Sequence, residues 1–164
     1  MTPEEFIDWL APAAQAQCKC YGLPASILIA QGAIESGWGK YTIGQFNLFG
    51  RKAVENDKSL SVWTQEYGDE TSYEPDDDHI YLGDKWWKIK ADFKDYDNLY
   101  QACDDWCILI TQEPKYADAW GIWCETGDIE QFVQALAPIY ATNPNYADDI
   151  LTTVKANDLK QYDC

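Results

Sequence analysis

Positive charge is scarce in this sequence. Twelve Lys and Arg stand against 28 Asp and Glu in 164 residues, a formal net charge of −16. A phosphate backbone would repel such a surface, which argues against DNA or RNA as a partner. Long apolar runs are missing too. The longest, around Leu23 to Ile34, is too short and too interrupted to span a bilayer, so no membrane insertion is expected. Histidine occurs once, at His79, with no partner in the sequence that argues for catalysis. No internal repeat, low-complexity tract or interdomain linker stands out, and the length suits one domain over residues 1–164. The opening Met1-Thr2-Pro3-Glu4-Glu5-Phe6 has neither the basic nor the apolar region of a secretory signal.

Aromatic residues, by contrast, are plentiful: eight Trp, eleven Tyr and five Phe within an apolar fraction of 46%. That content excludes a wholly disordered chain. Trp and Tyr stack on sugar rings without needing positive charge, so carbohydrate fits the composition better than nucleic acid. Six cysteines (Cys18, Cys20, Cys103, Cys107, Cys124 and Cys164) leave the redox compartment open. Cys103 and Cys107 are spaced to share a helical face, and with Cys18 and Cys20 they sketch a four-thiolate zinc site. Free thiols packed as small hydrophobes, or disulfides, are the competing readings. Asp76-Asp77-Asp78 lacks the alternating oxygen ligands and the glycine of a calcium loop. The expectation is therefore no metal and no cofactor.

Thr2-Pro3-Glu4-Glu5 is a capping-box start with Pro at the first helical position. Apolar residues then recur at helical spacing from Phe6 to Tyr21, with Pro12 expected to kink the helix and Gly22 to stop it. A second helix from near Pro24 to Glu35 is apolar nearly all round, the pattern of a buried central helix. Residues 40 to 58 read as a loop. Two alternating runs, Ser59 to Tyr67 and Trp87 to Lys94, predict strands, with Gly68 to Gly83 as an acidic loop between them. Helices follow over Leu99–Thr111, Tyr116–Cys124, Ile129–Leu136 and Tyr146–Asn157. Helices, a small antiparallel β-lobe at about 59–95, then helices again make an α+β domain.

Glu35 is the residue to explain. It ends an apolar helix, where the helix dipole is negative and the surroundings are expected to be dry. Both effects raise a carboxyl pKa. A carboxylic acid kept protonated near neutral pH is what a glycosidase uses to protonate a leaving oxygen. Gly37 and Gly39 remove side chains on either side of Trp38, which would let a polymer lie close to the backbone. A second carboxylate is usually needed. Glu66 and Glu70 in the sheet lobe and Asp104 and Asp105 in the returning helix are the candidates, and Glu66 lies on a strand face with Leu60 and Val62.

The run Ala30-Gln31-Gly32-Ala33-Ile34-Glu35-Ser36-Gly37-Trp38-Gly39, followed by Asn47-Leu48-Phe49-Gly50, resembles the signature of the bacterial glucosaminidase domain, glycoside hydrolase family 73. Thr64-Gln65-Glu66-Tyr67, Phe93-Lys94-Asp95-Tyr96-Asp97 and Tyr140-Ala141-Thr142-Asn143-Pro144-Asn145-Tyr146-Ala147 resemble further family motifs in the family's order. The resemblance runs from about residue 3 to 162. It implies a mostly helical, lysozyme-like domain with the β-lobe flanking a cleft. It also implies Glu35 as general acid, Glu66 as second carboxylate and Asp105 as a supporting acid. Trp38, Asn47, Phe49, Tyr96, Tyr140 and Tyr146 would shape or line the substrate cleft. Lys94 stands where the family usually has Arg, Asn143 where it has Asp, and Trp106 where it has Tyr.

The reaction implied is hydrolysis of the β-1,4 bond between N-acetylglucosamine and N-acetylmuramic acid in peptidoglycan glycan strands. The alternatives are a lytic transglycosylase, an N-acetylmuramidase, or a wall-binding module without activity. The implied place of action is the periplasm or the outer cell wall. Without a signal sequence, delivery by a phage or a dedicated secretion system is expected, and a secreted effector would need an immunity protein in its producer.

Overall fold

The computed structural model describes residues 1–164. Helix α1 (Pro3–Tyr21) begins as its capping box requires: the Glu5 backbone N–H donates to Thr2 Oγ1 at 3.2 Å, and the Thr2 N–H donates to Glu5 Oε2 at 2.8 Å. The helix is continuous through Pro12, which faces solvent. Gly22, at φ 71°, closes it in the left-handed conformation that glycine adopts without strain.

Helix α2 (Ala25–Ser36) is the buried centre. Residues 25 to 33 and Ser36 are all inaccessible, and α1 packs on one side while α6 (Tyr146–Ala156) and a closing 3-10 turn (Leu159–Tyr162) pack on the other. Pro24 offers no side-chain cap for this helix. Asp163 supplies it from the far end of the chain: Ser26 N–H donates to Oδ1 at 2.7 Å and Ser26 Oγ donates to Oδ2 at 2.8 Å. The remaining helices are α3 (Leu99–Gln112), α4 (Ala117–Thr126), which follows a 3-10 turn at Pro114–Tyr116, and α5 (Ile129–Tyr140). Their core sides carry Trp106, Ile110, Phe132 and Leu136 into one cluster with Phe6, Leu10, Ile27, Leu28, Ile29 and Ile150.

The β-lobe has three antiparallel strands in the order β1 (Ser59–Tyr67), β3 (Trp86–Lys94), β2 (His79–Gly83). Leu60 pairs with Phe93 at one end of β1 and Glu66 with Trp87 near the other. The period-two reading of β1 and β3 matches their alternating burial. Strand β2 corrects the reading of 68–83 as loop throughout. Its five residues follow an acidic stretch and meet β3 at Asp84 and Lys85, both at positive φ (51° and 63°). This is the turn geometry usually signalled by Asn-Gly or Asp-Gly, and here that signal is missing. The acidic stretch folds back over Trp87, which is fully buried: Asp69 O accepts from Trp87 Nε1 at 2.7 Å, and Tyr73 and Tyr81 pack against the indole. Asp76 is spent locally, facing His79 Nδ1 at 2.8 Å and accepting from Asp78 N–H at 2.8 Å.

All six cysteines are free thiols. Cys18, Cys103 and Cys107 are buried together, with Cys18 Sγ 3.9 Å from Cys107 Sγ. Cys20 lies two residues round α1 and is exposed, so the four thiolates of the zinc reading do not converge. The contact with Cys107 and burial push the Cys18 thiol above its ordinary pKa, and burial does the same for Cys103. These are packed thiols, the small-hydrophobe alternative.

Candidate active site

Glu35 stands where α2 stops. Gly37 turns left-handed (φ 56°) and returns its N–H to Ala33 O and Ile34 O, while Trp38 N–H donates to Ala33 O at 2.8 Å. Ser36, fully buried, bridges the turn: its Oγ donates to Gly32 O at 2.6 Å and accepts from Gly39 N–H at 2.9 Å. The carboxylate is fixed from below by a hydroxyl, because Tyr146 OH donates to Glu35 Oε1 at 2.6 Å. The ring of Tyr146 is 3% exposed and stacks on Tyr140 with centroids 5.8 Å apart and planes at 12°. Burial, followed by the neighbouring Glu35, raises the pKa of both phenols well above the ordinary value, so Tyr146 stays a donor.

The expectation that Glu35 lies in dry surroundings is not met. The side chain is exposed: in the last turn of α2 Ile34 is half-buried and Glu35 faces solvent, while Ser36 beside it points inward. Water therefore has to be displaced by whatever binds there. The reading of Gly37 and Gly39 changes as well. A side chain at Gly37 would meet the ring of Tyr41, and one at Gly39 would meet Phe6 and Met1, so the glycines serve backbone geometry and close packing rather than an open track. Trp38 packs edge-on against Phe6 with centroids 5.7 Å apart. Phe49 is buried and lies against Gly32.

Asn47 is 1% exposed and acts as a bracket between segments. Its Nδ2 donates to Arg51 O (2.9 Å) and Lys94 O (3.0 Å), and its Oδ1 accepts from Arg51 N–H (3.0 Å). This joins the loop after α2 to the end of β3. Asp105, on α3, completes the joint. It accepts from Arg51 Nε (2.9 Å), Lys94 Nζ (2.9 Å) and Tyr96 OH (2.6 Å). Burial opposes its charge, yet these three donors outweigh burial and hold the carboxyl below the usual carboxylate range. Tyr96 and Asp105 thus bind each other at the base of the lobe.

Glu66 sits apart from that clamp, on the half-covered face of β1, where Lys52 Nζ donates to its Oε1 at 3.0 Å. Its side chain is 35% exposed and that of Lys52 is 57% exposed. An exposed pair of this kind holds a carboxylate loosely, with a contribution of about 0–1 kcal/mol.

Sequence reasoning passed over Gln31. Its side chain is fully buried, its Nε2 donates to Tyr146 OH at 3.2 Å, and its Oε1 accepts from Trp106 Nε1 at 2.9 Å. A polar residue inside an otherwise apolar helix was the signal available.

Residues 11–159 match the family described as glucosaminidase, mannosyl-glycoprotein endo-beta-N-acetylglucosaminidase. Among curated proteins, the peptidoglycan hydrolase FlgJ of Vibrio parahaemolyticus is 30% identical over 92% of this chain and 46% of its own length. An autolysin of Enterococcus faecalis is 32% identical over 99% of this chain and 21% of its own. The chain thus spans less than half the length of these two relatives. Among solved structures, the catalytic domain of the autolysin Auto from Listeria monocytogenes superposes with a TM-score of 0.81 at 30% identity, covering 98% of this chain and 87% of that one.

Proposed function

Since the chain belongs to the glucosaminidase family of glycoside hydrolases, we propose that it hydrolyses the β-1,4 bond between N-acetylglucosamine and N-acetylmuramic acid in peptidoglycan, with Glu35 as the general acid. The observation that carries this reading is the pairing of an accessible carboxyl with a buried phenol that stays protonated. Held at one oxygen, the carboxyl offers the other to a glycosidic oxygen. A sugar chain laid over it supplies the desolvation that the exposed side chain lacks in the free protein.

As the glycosidic bond breaks, Glu35 donates its proton to the leaving oxygen and positive charge develops at the sugar carbon. Two routes then lead to product. Either Glu66 takes a proton from water, or the substrate's 2-acetamido oxygen attacks first and Glu66 steadies charge. Both require Glu66 to exchange its contact with Lys52 for the substrate, which a weak exposed pair permits. Tyr140 and Tyr146 form the aromatic wall behind the acid, and Trp38 and Phe49 brace the turn that presents it. Asp105, Asn47 and Tyr96 act one step back, by holding the lobe in place.

The charge of −16 bears on how such an enzyme meets its polymer. Peptidoglycan is anionic, so no long-range attraction holds the protein on the wall. That favours a diffusing lytic role outside the cytoplasm, as a phage lysin or as a secreted effector paired with an immunity protein.

The test is digestion of purified peptidoglycan by the Glu35→Gln variant. Loss of new reducing ends supports the assignment, and digestion near the wild-type rate ends it. Mass analysis of the products fixes the bond. Reducing N-acetylglucosamine ends identify the glucosaminidase, reducing N-acetylmuramic acid ends a muramidase, and anhydro-sugar ends a transglycosylase. Polymer binding without any cleavage identifies a wall-binding module.

A further inference from the structure

Three buried side chains stand in line behind Glu35, and the chemistry of the outermost sets the direction of every hydrogen in the line. Trp106 Nε1 is a donor only. It points at Gln31 at 2.9 Å, so the carboxamide oxygen of Gln31 has to face it and the amide nitrogen has to face the other way. That nitrogen meets Tyr146 OH at 3.2 Å and donates to it. The phenol oxygen is thereby occupied as an acceptor, and its single hydrogen goes to Glu35 Oε1 at 2.6 Å. Gln31 and Trp106 are fully buried and Tyr146 nearly so, which leaves no water to turn the chain round. Reversing it would set two hydrogens against each other at Tyr146 or strand the indole N–H without a partner, which a buried site does not tolerate.

From this geometry we infer that Gln31 and Trp106 are positioning residues that assign the catalytic proton to Oε2 of Glu35. The inference rests on the reading of Glu35 as general acid. In a carboxylic acid the carbonyl oxygen is the better acceptor. An oxygen that receives a fixed hydrogen bond therefore becomes the carbonyl, and the hydrogen sits on its partner. Oε1 is the receiving oxygen, and Oε2 accepts nothing from the protein. In the reaction the Oε2–H bond breaks, the hydrogen passes to the glycosidic oxygen, and the electron pair of the broken C–O bond leaves with that oxygen. Oε2 becomes the second oxygen of a carboxylate, still bonded through Oε1 to Tyr146. No proton moves along the Trp106–Gln31–Tyr146 line. Its work is to keep one oxygen from competing for the proton.

This separates a positioning role from a structural one. A defect in delivering a proton matters when the leaving group is a sugar alkoxide and matters little when it is a nitrophenolate, which departs without protonation. The experiment compares Gln31→Met and Trp106→Phe on soluble peptidoglycan strands and on an aryl glycoside of the same glycan with a nitrophenolate leaving group. On the strands, kcat should fall about 10- to 100-fold with KM within about twofold of wild type. On the aryl glycoside, kcat should stay within about threefold. In a Tyr146→Phe background, neither substitution should lower kcat further. Equal losses on both substrates, or full additivity with Tyr146→Phe, would overturn the proposal. Gln31→Met preserves volume and serves if Trp106→Phe does not fold. Glu35→Gln run in parallel separates the two levels. If it still digests the strands, the acid assignment falls and the positioning role with it. If it is inactive while Gln31→Met behaves as wild type on the strands, the positioning role alone falls.

Discussion

Tyr146 and Glu35 lie 111 residues apart in the chain and meet at 2.6 Å, phenol to carboxylate, across the joint between α6 and α2. Tyr146→Phe keeps the ring that stacks on Tyr140 and removes the hydroxyl alone. Turnover on peptidoglycan should fall at least about tenfold, with little change in KM. The buried Gln31 amide loses its acceptor as well, so the variant should also be less stable by about 1–3 kcal/mol. Steady-state kinetics and thermal melts check the two effects separately.

Glu66→Gln keeps the size of the side chain and removes its charge. If Glu66 acts on water or on developing charge, turnover should drop by about 10²–10⁴. Lys52→Met removes only the exposed partner and should leave the melting temperature almost unchanged, since such pairs contribute about 0–1 kcal/mol. A Glu66→Gln variant with wild-type turnover would leave the reaction to the substrate's own acetamido group.

Asp105 is the best test of the clamp. Asp105→Ala leaves Arg51 without its partner and Lys94 with only Asp57, and should cost about 1–3 kcal/mol. The pH dependence follows from the lowered pKa of Asp105. Its contribution is complete above the ordinary carboxylate pKa of about 4 and is lost as pH falls through the lower native value. The stability gap between wild type and Asp105→Ala should therefore be steady from neutral pH down to about 5 and close under stronger acid. Chemical unfolding at several pH values measures this.

Asp163→Ala uncaps α2 from the opposite end of the chain. The expected loss is about 1–2 kcal/mol, a fall in melting temperature of about 2–8 °C for a protein of this size. A melt unchanged within a degree would mean that solvent replaces the cap without cost.

Thiol labelling reads the burial of the cysteines. Iodoacetamide should modify Cys20, Cys124 and Cys164 in the native protein, and Cys18, Cys103 and Cys107 only after unfolding. Mass spectrometry before and after denaturant gives the count.

Much of the fold was legible because local chemistry and global packing agree along the helices. The capping box of α1, the unbroken apolar character of α2 and the alternation of β1 and β3 each match what formed. Strand β2 was hidden because Asp84-Lys85 takes a positive-φ turn that other residues normally announce. Glu35 could be picked out by its place at the end of an apolar helix, but its exposure could not, since that depends on which elements cover the last turn of α2. The partners of Asp105 were beyond reach for another reason. Arg51, Lys94 and Tyr96 approach it from a loop and a strand end, and only tertiary structure brings those together. Gln31 is masked in the sequence by its apolar neighbours in α2, whose pattern reads as core alone.

The joint at Asn47 and Asp105 grips the sheet where Leu60 faces Phe93, and farther out the loop holds it through the exposed Lys52–Glu66 pair alone. Glu66 rides six residues further out along β1, a reach of about 20 Å at strand rise. A tilt of ten degrees about the gripped end sweeps its carboxylate through an arc of about 3.5 Å, while Glu35, rooted in the central helix, stays still. In the proposed reaction the spacing between the two acids is thus a matter of leverage, to be set by how far a bound sugar chain bends the lobe inward.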